Sequence, residues 1–380
     1  MEQGERAAIF TYSGHDDLTY PAGHPFRPER AGMFMEILGK EGLLDEPWLD
    51  LVQAEPASWE EMGRFHERAY LEALERVGRG EFDVEMLGCG LGSEDCPAFR
   101  GLFDLARLSA GASLQGARRL ARGEARFAFN PIGGFHHSGP ANAEGFCYVN
   151  DVVLACGELA EAGRRVACLD LDVHHGNGTE SAFLSDPRVL TVSTHQGEGT
   201  LYPWSGEVEV LGEGPGLGYN ANVPLPPGAD DAAFARAFSG VVDPLLAAWK
   251  PDIVVLEIGM DVLARDPLAN LRMTNNGIAD AVGRIRDLGA PVLALGGGGY
   301  SPADTARGWA LAWSVLCGEE AHDEFAGLVG GVFLGSSERA GGMRDMRAFA
   351  SGPEREALDA EVDRVIAFHR EHLFPIHGIG

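Results

Sequence analysis

The sequence predicts an α/β fold with a mainly parallel central sheet and helices on both faces. Three observations predict it. From residue 126 onward, short and nearly unbroken apolar runs recur, as in RFAFNP, RRVACLDLD, RVLTVSTH, PDIVVLEIG and APVLALGGGG. Helical patterns separate or follow them: DVVLACGELAEAG, DDAAFARAFSGVVDPLLAAWK, NNGIADAVGRIRDLG and SPADTARGWALAWSVLCG. The apolar runs also end on polar residues, in turn Asn130, Asp170 and Asp172, Thr194 and His195, Asp261, and Gly296 to Tyr300. Strands covered on both faces have no solvent side to alternate with, so they read as continuous apolar segments. In such sheets, binding and catalytic groups collect outside the carboxyl ends of the strands.

The N-terminal third follows the same grammar less regularly. AAIFTY, ending at Tyr12, is the first strand; YPAGHPFRPER is a Pro-rich loop, and AGMFMEILGKEG turns helical. In MGRFHERAYLEALERVGRG, Phe65, Ala69, Leu71, Leu74 and Val77 form an apolar stripe opposite charged residues, which predicts another helix. GLFDLARLSAGASLQGARRLARG reads as one more, loosened by glycines. Long loops are expected at 13–30, 80–100, 131–145 and 196–228. The tail PEREALDAEVDRVIAFHREHLF predicts a terminal helix with His369 at its surface rather than at a metal. A chain of 380 residues can fill one large core or two modest ones. No Pro/Gly/Ser-rich linker or composition break divides it, so one domain over 1–380 is expected, with a core at about 7–320 and a C-terminal helical extension at about 321–380.

Composition narrows the function classes. Fifty-seven acidic against 30 basic residues give a formal charge of -27. Such a charge opposes direct contact with nucleic acid and would attract cationic peptides or ions, although it also simply keeps an abundant protein in solution. The six cysteines show no CxxC pairing, and three lie in apolar runs, which reads as buried thiols in a reducing compartment. The opening MEQGERAAIFTYSG lacks a signal-peptide pattern, and no apolar stretch reaches membrane-spanning length, so a cytoplasmic protein with no membrane contact is expected. NGT at Asn177 matches a glycosylation sequon, but in this context it reads as a loop. An apolar helix serves a core or an interface equally, so the pattern does not choose an oligomeric state.

The first chemical cluster is LDLDVHHGNGTE. In an extended strand Asp170, Asp172 and His174 share one side. A lone Asp-x-Asp could be a cap or an ion pair, but D-x-D-x-H at the mouth of an apolar strand buries many ionisable groups, which is costly without a cation or partners. Asp172 and His174 are the natural ligands, and Asp261, at the end of VVLEIGM, is the best third. By itself Asp261 could cap a turn. One imidazole with two carboxylates suits Zn2+ or Fe2+ and leaves open positions for water and a carbonyl oxygen.

The second cluster, GGFHHSGPANAEGFCYVND, places His136 and His137 after a glycine turn. Adjacent histidines do not naturally ligate one metal from a regular strand. General acid and base suits them better, with Asp170 orienting one imidazole, though a structural pair is also possible. The third, LGGGGYS, combines close backbone approach with Tyr300 at the rim, where a hydroxyl could donate to a developing oxyanion or merely cover the sheet end. It lacks the GxGxxG spacing and acidic companion of a dinucleotide site.

In this order, with HPFRPER, SEDCPAFRGLF, TVSTH and GMDVLARDPLANLRMT, these clusters resemble the histone deacetylases, including their bacterial and acetoin-utilisation relatives, over about residues 7–320. The resemblance implies the arginase-like three-layer fold and metal-dependent hydrolysis of N6-acetyl-lysine in a protein or peptide. It implies zinc on Asp172, His174 and Asp261, with Fe2+ possible, and a structural K+ held by Asp170, Asp172, His174, Ser193 and Thr194. His136 and His137 match the paired imidazoles, with His137 as main acid and base and His136 paired to Asp170. Asn177 is the partner of His137, and Tyr300 polarises the carbonyl. Asp95 would grip the substrate backbone. Gly145, Phe146 and Tyr202 would line the acyl-lysine channel, Leu268 its rim, and Arg30 the inner acetate cavity.

The chain departs from that pattern in places. Asn177 stands where single-domain eukaryotic members carry Asp, which predicts a lower pKa for His137. Glu257, Met260 and Val262 replace residues that are commonly Gln, small and Ser, and predict a reshaped cavity or a slower rate. Leu268 speaks against a polyamine deacetylase with a glutamate gatekeeper. Gly176 removes the carboxylate of a binuclear arginase-type site, so one metal is expected. Another small amide, including a polyamine, or a noncatalytic acyl-lysine-binding protein are the alternatives; retention of Tyr300, both histidines and three ligands argues against the last.

Overall fold

The computed structural model describes residues 1, 4–12, 20–197, 199–319 and 342–380. Residues 13–19 of the expected 13–30 loop, Glu198 of the expected 196–228 loop, and residues 320–341 of the expected C-terminal extension lie outside the described residues.

Eight described strands form one sheet, every neighbouring pair parallel. In chain order they are β1 (Ala7–Thr11), β2 (Leu49–Gln53), β3 (Phe127–Asn130), β4 (Val166–Asp170), β5 (Val189–Gln196), β6 (Asn220–Leu225), β7 (Ile253–Glu257) and β8 (Val292–Leu295). Across the sheet they run β2-β1-β3-β8-β7-β4-β5-β6. The α-helices among the described residues are α1 (Arg30–Lys40), α2 (Trp59–Met62), α3 (Arg68–Gly78), α4 (Leu102–Ala121), α5 (Asp151–Glu161), α6 (Asn177–Phe183), α7 (Asp231–Ala237), α8 (Asp243–Trp249), α9 (Asn275–Asp287), α10 (Pro302–Cys317) and α11 (Gly352–His372).

The period-two rule of a strand divides the apolar side chains between two cores. Ile9, Phe129, Leu169, Leu256 and Ala294 point to the side packed by α1, α9 and α10. Phe10, Ala128, Cys168, Val255 and Leu293 point to the side packed by α4 and α5. β4 and β7 are buried along their whole length. This is the three-layer arrangement expected, and all eight strands deliver their carboxyl ends to one rim.

Two strands escape an apolar-run search. β2 is an edge strand, half-exposed over Leu49–Gln53, with Asp50 and Gln53 interrupting its pattern. β6 lies inside the expected 196–228 loop and is the other edge. Its inward Asn220 and Asn222 are buried because both amides donate to Glu180 Oε2, at 2.8 and 2.6 Å. Its Pro224 is tolerated on an edge. The expected 80–100 loop contains a 3-10 turn over Val84–Cys89.

The expected surface position of His369 is overturned. The residue is fully buried, and its Nε2–H donates to the Asn222 carbonyl on β6 at 2.8 Å. α11 packs on α7 and β6 through Val362 and Ile366, and its ion pairs Arg355–Asp230 and Arg236–Asp363 hold the same face. The histidine is therefore an apolar-face residue with one polar anchor. Burial pushes its pKa down to about 4 from an ordinary 6.5. Between those values the unfolded chain binds a proton that the folded chain refuses. The His369 contribution is complete above about pH 6.5 and declines as pH falls toward 4, by roughly 3 kcal/mol at most for a shift of that size. His369→Gln keeps a donor for Asn222 but cannot titrate. Urea unfolding at pH 7 and pH 4.5 is expected to show less acid destabilisation in the variant, and an equal loss in both proteins would refute this account.

Candidate active site

Five neighbouring strand ends, β3, β8, β7, β4 and β5, supply the predicted site. β4 stops at Asp170, so Asp170, Asp172 and His174 do not share one face of a strand, as the alternation argument expected. The chain turns instead, and carboxylates tie the turn. Asp170 Oδ1 accepts from Asp172 N at 3.0 Å, Asp172 Oδ1 from His174 N at 2.8 Å, and Asp261 Oδ1, delivered after β7, from Val173 N at 3.1 Å. These are the backbone-capping bonds of a strand terminus, and they aim the remaining donor atoms at one another. His174 Nδ1 lies 3.1 Å from both Asp172 Oδ1 and Asp261 Oδ2.

All three groups are buried, and their donor atoms converge closely enough to hold one ion. Burial and the Asp172 charge push the Asp261 carboxyl up to about 6. Burial opposes a charged His174, but the hydrogen bonds and charges of Asp172 and Asp261 outweigh it and push the imidazole up to about 10. The cluster thus demands a positive charge, and a proton on His174 is the smallest that can supply it. One imidazole nitrogen and two carboxylates fit a divalent metal of the zinc or ferrous type equally well.

The glycine run after β8 closes this cluster from above. Gly298 N donates to Asp172 Oδ2 at 2.6 Å, and a Cβ at Gly298 would fall 1.9 Å from Asp261 Oδ2. Only glycine permits that approach. Arg30, buried on α1, holds the run from behind. Its Nη1 donates to the Gly299 carbonyl at 2.8 Å and its Nη2 to that of Gly297 at 2.5 Å, while its guanidinium stacks over Phe26 and Trp309. Tyr300 follows, its backbone N–H donating to Asp266 Oδ2 at 2.7 Å. Burial and then the Asp261 and Asp172 charges keep its hydroxyl protonated, well above the ordinary range.

The imidazole pair hangs from the loop after β3. Asp151 at the start of α5 accepts from Gly134 N at 3.1 Å and Phe135 N at 2.8 Å. Neighbouring Asn150 Nδ2 donates to the carbonyls of His136 and Ser138 at 3.2 Å. His136 Nδ1 lies 2.7 Å from Asp170 Oδ2 and 3.1 Å from Glu257 Oε1, the two Nε2 atoms are 3.1 Å apart, and His137 Nδ1 is 2.8 Å from Asn177 Oδ1. Burial disfavours charge on both rings, but Glu257 and Asp170 hold His136 well above its ordinary pKa. His137 is held well below it, as expected, though for a different reason. Burial comes first and the charges of His136 and His174 next, while the Asn177 bond works the other way.

Of the remaining predicted residues, Gly145 and Phe146 line a narrow cleft. A cavity of about 20 Å³, room for roughly one water, lies among His136, His137, Phe146, Asp172, Gly298 and Tyr300. Phe146, at φ 67°, faces Tyr300 with ring centroids 5.6 Å apart, and Tyr202 faces His137 at 5.1 Å. Gly145 lies against the His137 ring, where a Cβ would fall 2.4 Å from Cδ2. Asp95 is exposed, and its carbonyl meets His24 Nε2 at 3.2 Å, with the His24 ring edge-on to Phe146 at 4.7 Å. Leu268 is part-exposed, its N–H bonded to Asp266 Oδ1 at 2.9 Å. Ser193, which pairs with Asp170 in register, meets His195 Nδ1 at 2.9 Å, and Thr194 Oγ1 donates to the Asp170 carbonyl at 3.3 Å.

The sequence reading did not single out Asn150, Asp151 or Asp266, and it saw in Glu257 a change of bulk rather than a second carboxylate on His136. Asn150 had a readable signal, being the N-cap of an apolar helix with its Oδ1 accepting from Val153 N at 2.9 Å. Met260 and Val262 are both buried in the core, and Met260 packs against Gly308 of α10.

To act as a ligand His174 must lose the proton that it carries at pH 7. Metal uptake is therefore expected to release about one proton at pH 7, with apparent affinity rising roughly tenfold per pH unit up to about pH 9. Titration calorimetry in buffers of differing ionisation enthalpy counts that proton, and proton-neutral uptake would contradict a protonated His174 in the metal-free cluster.

Comparison with known proteins agrees with this geometry. The histone deacetylase domain model matches residues 24–316. Histone deacetylase RPD3 of Saccharomyces cerevisiae is 37% identical over 314 residues, covering 82% of this chain and 72% of the relative. Histone deacetylase 8 of Xenopus tropicalis is 38% identical over 299 residues, covering 78% and 80%. Human histone deacetylase 1 is 36% identical over 327 residues, covering 85% and 67%. A crystal structure of an HDAC homolog complexed with SAHA superposes with a TM-score of 0.83 at 28% identity, covering 96% of this chain and 99% of that one. The buried imidazole pair, the Asp–His–Asp cluster and the glycine-rich turn thus sit on a chain that belongs to the histone deacetylase family.

Proposed function

We propose that the protein hydrolyses the amide of N6-acetyl-lysine in a protein or peptide, releasing acetate and the free lysine side chain. The observation that carries this reading is the buried Asp172–His174–Asp261 cluster set beside His137 and Tyr300 at the foot of one narrow cleft. His137 and Tyr300 rings each lie within about 6 Å of His174, with centroids at 5.9 and 6.3 Å. Zinc or ferrous iron on the cluster supplies Lewis acidity toward a carbonyl oxygen and makes water a better nucleophile.

The chain's own groups do the rest. Phe146 and Tyr202 flank the aliphatic stem of the substrate and keep water from it. The Tyr300 hydroxyl, protonated across the neutral range, donates to the carbonyl oxygen and gains strength as charge develops there. His137, neutral at pH 7, takes a proton from the attacking water and returns it to the departing lysine nitrogen. His136, held cationic by Asp170 and Glu257, keeps His137 low in pKa and favours charge flow toward the oxyanion. Asp95, exposed at the mouth, grips the substrate backbone, and Arg30 lines the inner end where acetate leaves. Potassium near Asp170, Asp172, His174, Ser193 and Thr194 belongs to the same proposal.

Substrate choice follows from the surface. A formal charge of -27 favours lysine-rich, cationic segments, and no helix among the described residues is long and apolar enough to cross a membrane. Leu268 rather than a carboxylate at the rim favours a peptide over a polyamine.

The test is hydrolysis of a short acetyl-lysine peptide after chelation and after Zn2+ is restored, with Tyr300→Phe alongside. Activity is expected to vanish on chelation, return with Zn2+, and fall roughly tenfold or more in the variant, about 1.4 kcal/mol of transition-state stabilisation per tenfold. Inactivity on acetyl and longer acyl peptides with metal verifiably bound would reject the reading.

A further inference from the structure

Glu144 has no part in the groups assigned above, yet three hydrogen bonds meet on it. Its Oε1 accepts from Asn177 Nδ2 at 3.2 Å and from the Tyr202 hydroxyl at 2.9 Å, and its Oε2 accepts from Asn142 Nδ2 at 3.2 Å. The side chain leaves a tight turn in which Glu144 and Cys147 exchange backbone bonds of 3.0 and 2.8 Å, so its position is not that of a free surface carboxylate.

The direction of each bond leading away from Glu144 is then forced. An ionised carboxylate only accepts, so the donor end of the Asn177 amide must face it. The Asn177 carbonyl consequently faces His137 Nδ1, 2.8 Å away, and that oxygen can only accept. His137 Nδ1 therefore carries the hydrogen, and the neutral ring keeps its lone pair on Nε2. Across 3.1 Å sits His136 Nε2. At its other nitrogen His136 faces two carboxylates, Asp170 Oδ2 at 2.7 Å and Glu257 Oε1 at 3.1 Å. Amide orientation and tautomer are ordinarily matters of inference from the surrounding network, and here one carboxylate decides both.

We propose that Glu144 is a positioning residue for the hydrolytic reaction, setting through Asn177 the direction of the hydrogen-bond chain Glu144, Asn177, His137. It thereby presents His137 with its hydrogen on Nδ1 and its lone pair on Nε2, free for a proton. It also places a negative charge one residue beyond Asn177, which itself carries none. Because the same carboxylate receives the Tyr202 hydroxyl, the wall of the acyl-lysine channel and the orientation of the base are set by one group. The catalytic part of this inference rests on the acyl-lysine hydrolase reading; the bond directions do not.

A donor–acceptor swap tests it. Asn177→Asp alone brings two carboxylates face to face across the 3.2 Å gap. Glu144→Gln alone gives Asn177 an amide that pairs either way round, so the chain loses its fixed direction. The two together restore a donor facing an acceptor, with the new amide donating to the new carboxylate. Each single substitution is expected to lower kcat roughly tenfold, with KM within about twofold. The double variant is expected within about threefold of the starting enzyme. Independent, multiplicative losses would overturn the proposal.

A second measurement needs no turnover. In ¹⁵N NMR spectra of the metal-free protein at pH 7, His137 is expected to be protonated at Nδ1 and bare at Nε2, with Glu144→Gln mixing the tautomers. A hydrogen on His137 Nε2 in the unaltered protein overturns the proposed direction whatever the activity. The expected tautomer in a protein that hydrolyses no acyl-lysine would support the chain of bonds and reject the hydrolase reading instead.

Discussion

Everything at the rim of the sheet depends on one electrostatic constraint. Asp172, His174 and Asp261 are buried together, and two carboxylates cannot share a low-dielectric space without a cation between them. The fold meets this demand with donors as well as with charge. Asp172 accepts from His174 N and Gly298 N, and Asp261 from Val173 N, so each carboxylate is partly neutralised by backbone dipoles before any ion arrives. The same bonds hold the turn after β4 in shape. A reading of these aspartates as strand-end caps and a reading of them as ligands are therefore not rivals. The capping bonds are what orient the free oxygens.

The parallel sheet makes that convergence possible. Strands β3, β8, β7, β4 and β5 are consecutive neighbours. Their carboxyl ends lie side by side, although the residues they deliver run from His136 to Tyr300 in the chain. Each strand is short and buried, so side chains just beyond it are held by a rigid frame. The loops then need only a few bonds of their own, such as those Asp151 and Asn150 make to the His136–His137 loop. A loop that had to organise itself without that frame would spend far more entropy on the same geometry.

The two adjacent histidines show how environment separates like groups. Both are buried, and burial alone would leave both neutral. His136 faces Asp170 and Glu257, whereas His137 faces an amide and two potentially cationic rings. Opposite shifts follow, one imidazole held charged and its neighbour held neutral. Glu257 and Asp170 make that separation on one side, and burial with the neighbouring His136 and His174 makes it on the other.

The sequence by itself determined the layered parallel architecture, because strands buried on both faces must be apolar throughout and helices covering them must be amphipathic. It also determined which titratable residues would stand at the rim, because the apolar runs end where Asp170, Asp261 and the glycines of 296–299 begin. Only the tertiary structure decided how those residues meet. β2 and β6 were not legible, because edge strands need no apolar run and the buried face of β6 is made of Asn220 and Asn222, whose burial requires Glu180 from α6. His369 read as a surface residue because its anchor, the Asn222 carbonyl, is 147 residues away. Glu257 read as bulk and Glu144 went unread because a carboxylate acquires a role only from what faces it. Side-chain periodicity is a local property and survives in the sequence; hydrogen-bond partnership between distant segments exists only once the chain is packed.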